Sequence, residues 1–402
     1  MKRILPSILA LCMCLLLQAR DRTLRIDYTF AGDADSMEIY VDELRCIDGW
    51  AGRKYHTDSL LLRGNGIVTM RDSASGRILW RNSFSTLFQE WRATEEATRV
   101  RKSFEHVVLL PMPEAPAEIT LELLGPRGES MASLRHEVDP ADILIRPAGG
   151  PEAVDLRISG PASECIDVVI VAEGYTAAER ELFIKDAEAT VEAILAARPF
   201  GDYADRFNFR ALPLESAASG VSIPGRGMWI DTPLHSHFDT FYSDRYLTTL
   251  KIKDLHDALA GVPYEHIIIL ANTDHYGGGG IFNSYTLTAA HHPEFKPVVV
   301  HEFGHSFGGL ADEYYYDDQY SDTYFPDCEP WEPNITTKAD FASKWQDMVE
   351  QGKAGLYEGG GYKSKGVWRG ARDCRMKTNR APGFCPVCQR ALERIILFYT
   401  EN

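Results

Sequence analysis

The stretch from His301 to Tyr314, reading His-Glu-Phe-Gly-His-Ser-Phe-Gly-Gly-Leu-Ala-Asp-Glu-Tyr, constrains the fold of this chain more than any other. Residues four apart on an α-helix lie one turn apart on the same face, so a helix here aims His301 and His305 at one point. Val299, Phe303 and Phe307 recur at i, i+4 and i+8, which gives the same helix a second, apolar face to bury. Gly308-Gly309 then stops it, because glycine enters the left-handed conformation without steric cost. The chain must therefore bury a helix, end it sharply, and turn Asp312 and Glu313 back toward the two imidazoles.

Two imidazoles and a hard carboxylate make a three-ligand zinc site with one position open, as in catalytic rather than structural sites. Glu302 sits beside the first ligand. From there it can take a proton from a water in the open position and pass it to a leaving amine. The implied chemistry is hydrolysis with one Zn2+ ion. Either Asp312 or Glu313 supplies the carboxylate.

These residues resemble the metzincin clan of zinc peptidases and, within it, the secreted bacterial IgA peptidase family. Its sequences run similarly through histidine, glutamate, glycine, histidine and a closing Gly-Leu-x-Asp-Glu-Tyr. The register departs from the usual metzincin pattern, where the third ligand falls six residues after the second histidine; that position here is Ala311, which cannot bind metal. Because Gly308-Gly309 can absorb one extra residue, Asp312 is the expected third ligand and Glu313 the substitute. The resemblance extends to Cys165, the Glu-Gly-Tyr-Thr run that follows, Pro199-Phe200 and Ser219-Gly220-Val221. It implies that Met376 lies in a tight turn beneath the ligands as a hydrophobic support. It also implies an edge strand over the cleft, a place taken here by 281–288, that pairs with an extended peptide. The substrate class is a protein or peptide, with immunoglobulin A one member to test; Tyr314, Tyr315, Tyr316 and Tyr362 compete as stabilisers of the oxyanion.

The rest of the chain supplies the setting. With 402 residues and a formal charge of -16, it lacks the basic footprint of a nucleic-acid binder. Lys2 and Arg3 followed by the apolar run 4–17 read as a signal peptide over 1–19; the run is shorter than the ~20 residues of a membrane span. The expected location is outside the cell or on its surface. Cys12 and Cys14 lack the small preceding residue of a lipid-anchor site. Export favours disulfides among Cys46, Cys165, Cys328, Cys374, Cys385 and Cys388, while Cys328, Cys374, Cys385 and Cys388 form the competing set for a structural zinc.

From residue 20 to 146 the pattern is period two with turns. Runs at 25–30, 37–44, 66–71, 77–82, 102–110, 117–124, 131–138 and 142–145 predict an all-β sandwich. His56, His106 and His136 are isolated and read as structural. The segment 147–163, rich in proline, glycine and alanine, reads as a linker. From 164 to 402 the pattern turns α/β (α+β), metzincin-like by resemblance. It comprises a buried strand at 166–172, a capping box at Thr176–Glu179 for a helix to about 197, a strand at 207–214, a helix at 245–260 and a strand at 266–271. The glycine run in 272–280 reads as a flexible loop, and a second box at 337–340 predicts a helix burying Phe341, Trp345 and Met348. A closing helix spans 387–399. Calcium among Asp317, Asp318, Asp322 and Asp327 lacks regular ligand spacing, and a metal on His235 and His237 conflicts with their loop setting. The alternative function is a surface glycan- or peptide-binding protein with a structural metal, which has no chemical use for Glu302.

Overall fold

The computed structural model describes residues 22–316 and 324–402. The expected leader at 1–19 and the residues Asp317, Asp318 and Asp322 lie outside the described residues.

Period-two alternation lets every second side chain enter a core, and the first part of the chain uses it in eight strands. They are β1 (Arg22–Gly32), β2 (Met37–Asp48), β3 (Gly66–Asp72), β4 (Ile78–Phe84), β5 (Lys102–Pro111), β6 (Ala117–Leu124), β7 (Ser130–Val138) and β8 (Arg146–Ala148), with a short helix α1 (Leu87–Arg92) before β5. One sheet has the order β5-β1-β2-β8 and the other β4-β3-β6-β7. Leu24, Ile26, Tyr28 and Phe30 of β1 meet Val68, Met70, Ile119, Leu121 and Leu123 of the second sheet in one core. The expected strand at 142–145 is instead a turn in which Asp142 accepts from the Leu144 amide and Ile143 is 95% exposed. Pairing resumes at β8, where the chain reaches the free edge of β2. The histidines here are structural: His106 lies against Phe30 and Phe84, burial lowers its pKa to about 3, and His136 bonds Tyr28 Oη at 2.8 Å.

A mixed six-stranded sheet follows. Its strands are β9 (Val154–Arg157), β10 (Ile166–Glu173), β11 (Phe207–Leu212), β12 (His266–Ala271), β13 (Gly278–Ile281) and β14 (Tyr285–Ala289), in the order β13-β14-β12-β10-β11-β9. β10 is buried at every residue, as a central strand covered on two faces must be. It is parallel to β11 and β12, and β12 is parallel to β14. β9 arises inside the expected linker and pairs with β11. The Thr176–Glu179 capping box forms and leads into α2 (Arg180–Ala196). The helix expected at 245–260 shrinks to α3 (Ile252–Ala258), because Tyr246 bridges to Gly278 and Thr248 to His237.

The glycine run is the main departure. Rather than a flexible loop followed by one strand, residues 278–289 make a hairpin, turned at Asn283 with φ of 50°. The glycines are there for close approach: a Cβ on Gly280 would sit 2.2 Å from the Glu302 carbonyl oxygen and 2.9 Å from His305 Cβ. At Gly278 the outer edge of β13 is already bonded to the backbone of Arg245 and Leu247, so 281–288 is not the open edge expected.

The helix carrying the central motif is α4 (Phe295–Gly308). After it come β15 (Tyr315–Tyr316), β16 (Ile335–Thr336), α5 (Gln346–Glu350), β17 (Tyr357–Gly360), β18 (Tyr362–Arg369) and α6 (Pro386–Thr400), the strands forming a small sheet around β18. The second capping box does not form, since Thr337 Oγ1 donates to the Cys328 carbonyl and the Asp340 amide to Glu329. Only a 3-10 turn and α5 result, although Trp345 and Met348 are buried. The β-rich and mixed parts share a core that also contains Val169, Val171 and Leu234, and buried Arg25 reaches Asp257 of α3 at 2.6 Å. A cavity of about 410 Å³ between them is lined by Trp50, Trp80, His106 and Tyr264, away from the histidine cluster. No helix among the described residues is long and apolar enough to cross a membrane.

Candidate metal centre and cleft

α4 buries Val299, Phe303 and Phe307 and leaves His301, Glu302 and His305 half-buried on another face. Gly309 caps it at φ of 57°, its amide donating to the His305 carbonyl at 2.9 Å. Asn334 then clamps the returning chain by bonding the amide and carbonyl of Ala311 at 2.8 and 2.9 Å, and the Gly361 amide donates to the Asp312 carbonyl at 2.8 Å. The result places Asp312 Oδ1 3.1 Å from His301 Nε2 and 3.2 Å from His305 Nε2, with the two Nε2 atoms 3.0 Å apart.

The other ring nitrogens fix the tautomers. His301 Nδ1 faces the Arg375 carbonyl at 2.9 Å and His305 Nδ1 the Leu310 carbonyl at 2.5 Å. A carbonyl only accepts, so Nδ1 of each ring carries a proton and Nε2 is the atom left to face Asp312. Tyr362 Oη donates to Asp312 Oδ2. Burial disfavours the Asp312 carboxylate, but the imidazoles outweigh it and hold its pKa well below the usual range. Burial likewise opposes charge on His305, and Asp312 overrides it, raising the imidazole to about 9.

Glu302 lies against Gly278, where an added Cβ would stand 3.0 Å from Oε1. Loss of hydration raises its pKa and the nearby imidazoles pull it back, so the group is placed to take up and give back a proton. Beneath the cluster Met376 is fully buried, and a Cβ on Gly304 would approach its Sδ to 2.8 Å. The adjoining Arg375 carbonyl is the one that orients His301.

Of the four tyrosines, Tyr362 touches Asp312 and packs 5.3 Å from the Tyr314 ring, which itself lies 6.5 Å from His301. Tyr316 Oη accepts from Arg245 at 2.7 Å, and Tyr315 faces Arg369 instead. Sequence reasoning missed three cleft residues. Arg245 lies 5.9 Å over the Tyr314 ring, Tyr246 sits on the glycine strand, and its hydroxyl donates to Glu90 of α1, a carboxyl that feels the charges of His305, Asp312 and Glu302. No local spacing links residue 90 to residue 302, so nothing in the sequence signals that the β-rich part reaches the cleft.

Glu313 points the other way. It is fully buried, with Oε1 3.1 Å from Cys388 Sγ and 3.1 Å from Asn334 Nδ2, so Asp312 alone of the pair faces the imidazoles. Disulfides were the favoured expectation for the cysteines, but Cys46, Cys165, Cys328, Cys374, Cys385 and Cys388 are all free thiols. Cys374, Cys385 and Cys388 converge, while Cys328 lies apart with Sγ against the Glu329 carbonyl. His235 and His237 make local contacts with Asp231 and the Phe238 carbonyl, and Asp327 pairs with Arg127.

Comparison with known families gives two matches. A family model described as IgA Peptidase M64 matches residues 154–354 and 350–396, and a second, described as Peptidase M64 N-terminus, matches 18–134. The chain belongs to the IgA peptidase M64 family. No curated protein matches it significantly. The first model spans the sheet, α4 and the cysteine turn of this M64 peptidase; the second spans most of the β-rich part, including Glu90.

Proposed function

We propose that this peptidase is a zinc-dependent endopeptidase of metzincin type, exported from the cell, that cleaves protein substrates with Glu302 as general base. The observation that carries the proposal is the triangle of His301 Nε2, His305 Nε2 and Asp312 Oδ1, with edges of 3.0, 3.1 and 3.2 Å. Tetrahedral zinc with bonds of about 2.0–2.1 Å separates its nitrogen and oxygen ligands by about 3.3 Å, close to these edges. Each ring has its Nδ1 proton committed to a carbonyl and turns Nε2 toward the other ring and toward a carboxylate, an arrangement that needs a cation among the three atoms, so the residues fit the ion.

His301, His305 and Asp312 hold the metal, and the Arg375 and Leu310 carbonyls and Tyr362 Oη keep those three aligned. When bound, zinc acidifies water and polarises the scissile carbonyl. Glu302 accepts the proton of the attacking water and delivers it to the leaving amine nitrogen. Tyr314 and Arg245 line the same side as His301 and offer donors to a developing oxyanion. The binding-protein alternative is set aside by the family, whose members are peptidases by description.

Immunoglobulin A is the first substrate to test, on the family's description. Digestion of immunoglobulin A and of an unfolded generic protein, before chelation, after chelation and after zinc is restored, tests metal dependence and breadth together. Cleavage that stops on chelation and returns with zinc is expected; cleavage that survives full chelation contradicts the proposal.

A further inference from the structure

The buried side of the Asp312-Glu313 pair carries a second constellation. Cys374, Cys385, Cys388 and Glu313 each offer one ligand atom, all within 4.8 Å of one another, and all four residues are buried. Cys374 Sγ and Cys388 Sγ are 3.7 Å apart, far beyond the ~2.05 Å of a disulfide. They lie close to the ~3.8 Å that separates two thiolates at ~2.3 Å from a tetrahedral zinc ion. An odd number of thiols cannot be consumed by pairing, so any disulfide here would leave one thiol facing a buried carboxylate.

The surroundings bring a helix N-terminus and an amide donor to the sulfurs. Cys385 and Cys388 are spaced Cys-Pro-Val-Cys at the start of α6, where Cys385 is the N-cap. The Cys385 amide donates to Cys374 Sγ at 3.2 Å. Glu313 Oε1 accepts from Asn334, yet Oε2 is buried without a hydrogen-bond partner. A carboxylate with an unpartnered oxygen beside three sulfurs, in a space closed to water, is what a cation would complete.

We propose that Cys374, Cys385, Cys388 and Glu313 bind a second divalent ion of the zinc class in a closed, purely structural site. Four protein ligands leave no open position, and no general base adjoins them, so the site has no hydrolytic role. Its place in the fold explains its use. Glu313 follows Asp312, its amide donates to the Met376 carbonyl at 2.8 Å, and Cys374 precedes the Arg375 carbonyl that orients His301. One ion would thus tie the Asp312 segment, the methionine turn and α6 into a rigid floor beneath the cleft.

The test is metal analysis of the full chain carrying His301→Ala and His305→Ala, which removes the cleft ligands and leaves the cysteines intact. One zinc ion per chain, released by a thiol-specific mercurial, is expected. Refilling with cobalt should give thiolate-to-cobalt charge-transfer absorption that Cys388→Ser diminishes. On the unmodified chain, whose folding is not in question, the mercurial should release one ion that a chelator stripping the cleft leaves behind. No mercurial-releasable ion in either protein would overturn the proposal, whether the three thiols are then found free or two are found oxidised to a disulfide. The readout is metal and thiol content rather than hydrolysis, so it stands apart from the catalytic assignment.

Discussion

The cleft cluster and the floor cluster are built on consecutive residues, Asp312 and Glu313, and almost everything else about them differs. The cleft side has half-buried imidazoles, one hard carboxylate and a free acid, Glu302, alongside. The floor side has three sulfurs and a carboxylate, every one of them buried, and no spare acid. Solvent access and donor type, not distance along the chain, decide which cluster can do chemistry on a substrate and which can only brace the fold. The Ala311 clamp by Asn334 is what sends two adjacent side chains to opposite sides.

The sharpest way to break this contrast is His305→Ala. Loss of one cleft ligand should lower peptide hydrolysis by more than about 10⁴-fold while the floor ion stays bound. Turnover together with metal content measures both halves of the statement, and hydrolysis within tenfold of wild type would erase the contrast.

Gly280→Ala attacks the same site through the backbone. The new Cβ would stand 2.2 Å from the Glu302 carbonyl oxygen, so β13 or α4 must shift. A stability loss of about 1–3 kcal/mol is expected. Displacement of the site should cost about 10²-fold in turnover. A melting midpoint and a rate constant report the two effects separately.

Tyr362→Phe removes the hydroxyl that holds Asp312 Oδ2 and leaves the floor cluster untouched. Zinc affinity at the cleft should fall by about 10–100-fold, read by competition with a chelating indicator, while the floor ion is retained.

The smallest effect is a control outside both clusters. Desolvation opposes ionisation of Glu179, but bonds from Thr176, Ser219 and Asn272 outweigh it and lower its pKa to about 2. A depressed carboxylate contributes stability above its unfolded value of 4.5, and the contribution fades as pH falls through about 2. The midpoint difference between wild type and Glu179→Gln should shrink over that window. Chelator-treated protein should show the same difference, since neither metal cluster includes this acid.

Local features were legible in the sequence for a local reason. The helix periodicity around His301, the Gly309 cap and the Thr176–Glu179 box each act within a turn or two of chain, and each forms. Choosing between Asp312 and Glu313 required a distant residue, Asn334, 23 positions beyond the Ala311 it clamps, and that clamp has no signature at the motif itself. The glycines at 278–280 were misread as flexibility because composition cannot distinguish a loose loop from a strand pressed against a helix. Compartment chemistry pointed the cysteines toward disulfides, whereas three of them converge on a carboxylate that periodicity gave no reason to bury. Glu90 and Tyr246 meet at the cleft only through packing of the β-rich part on the mixed sheet.

The most direct test of the catalytic assignment is Glu302→Gln, which keeps the shape of the side chain and removes its basicity. Zinc content and affinity at the cleft should match wild type, while turnover of a cleavable protein falls by about 10²–10⁴-fold. Turnover within a factor of about three of wild type, with zinc still bound, would show that another group moves the proton.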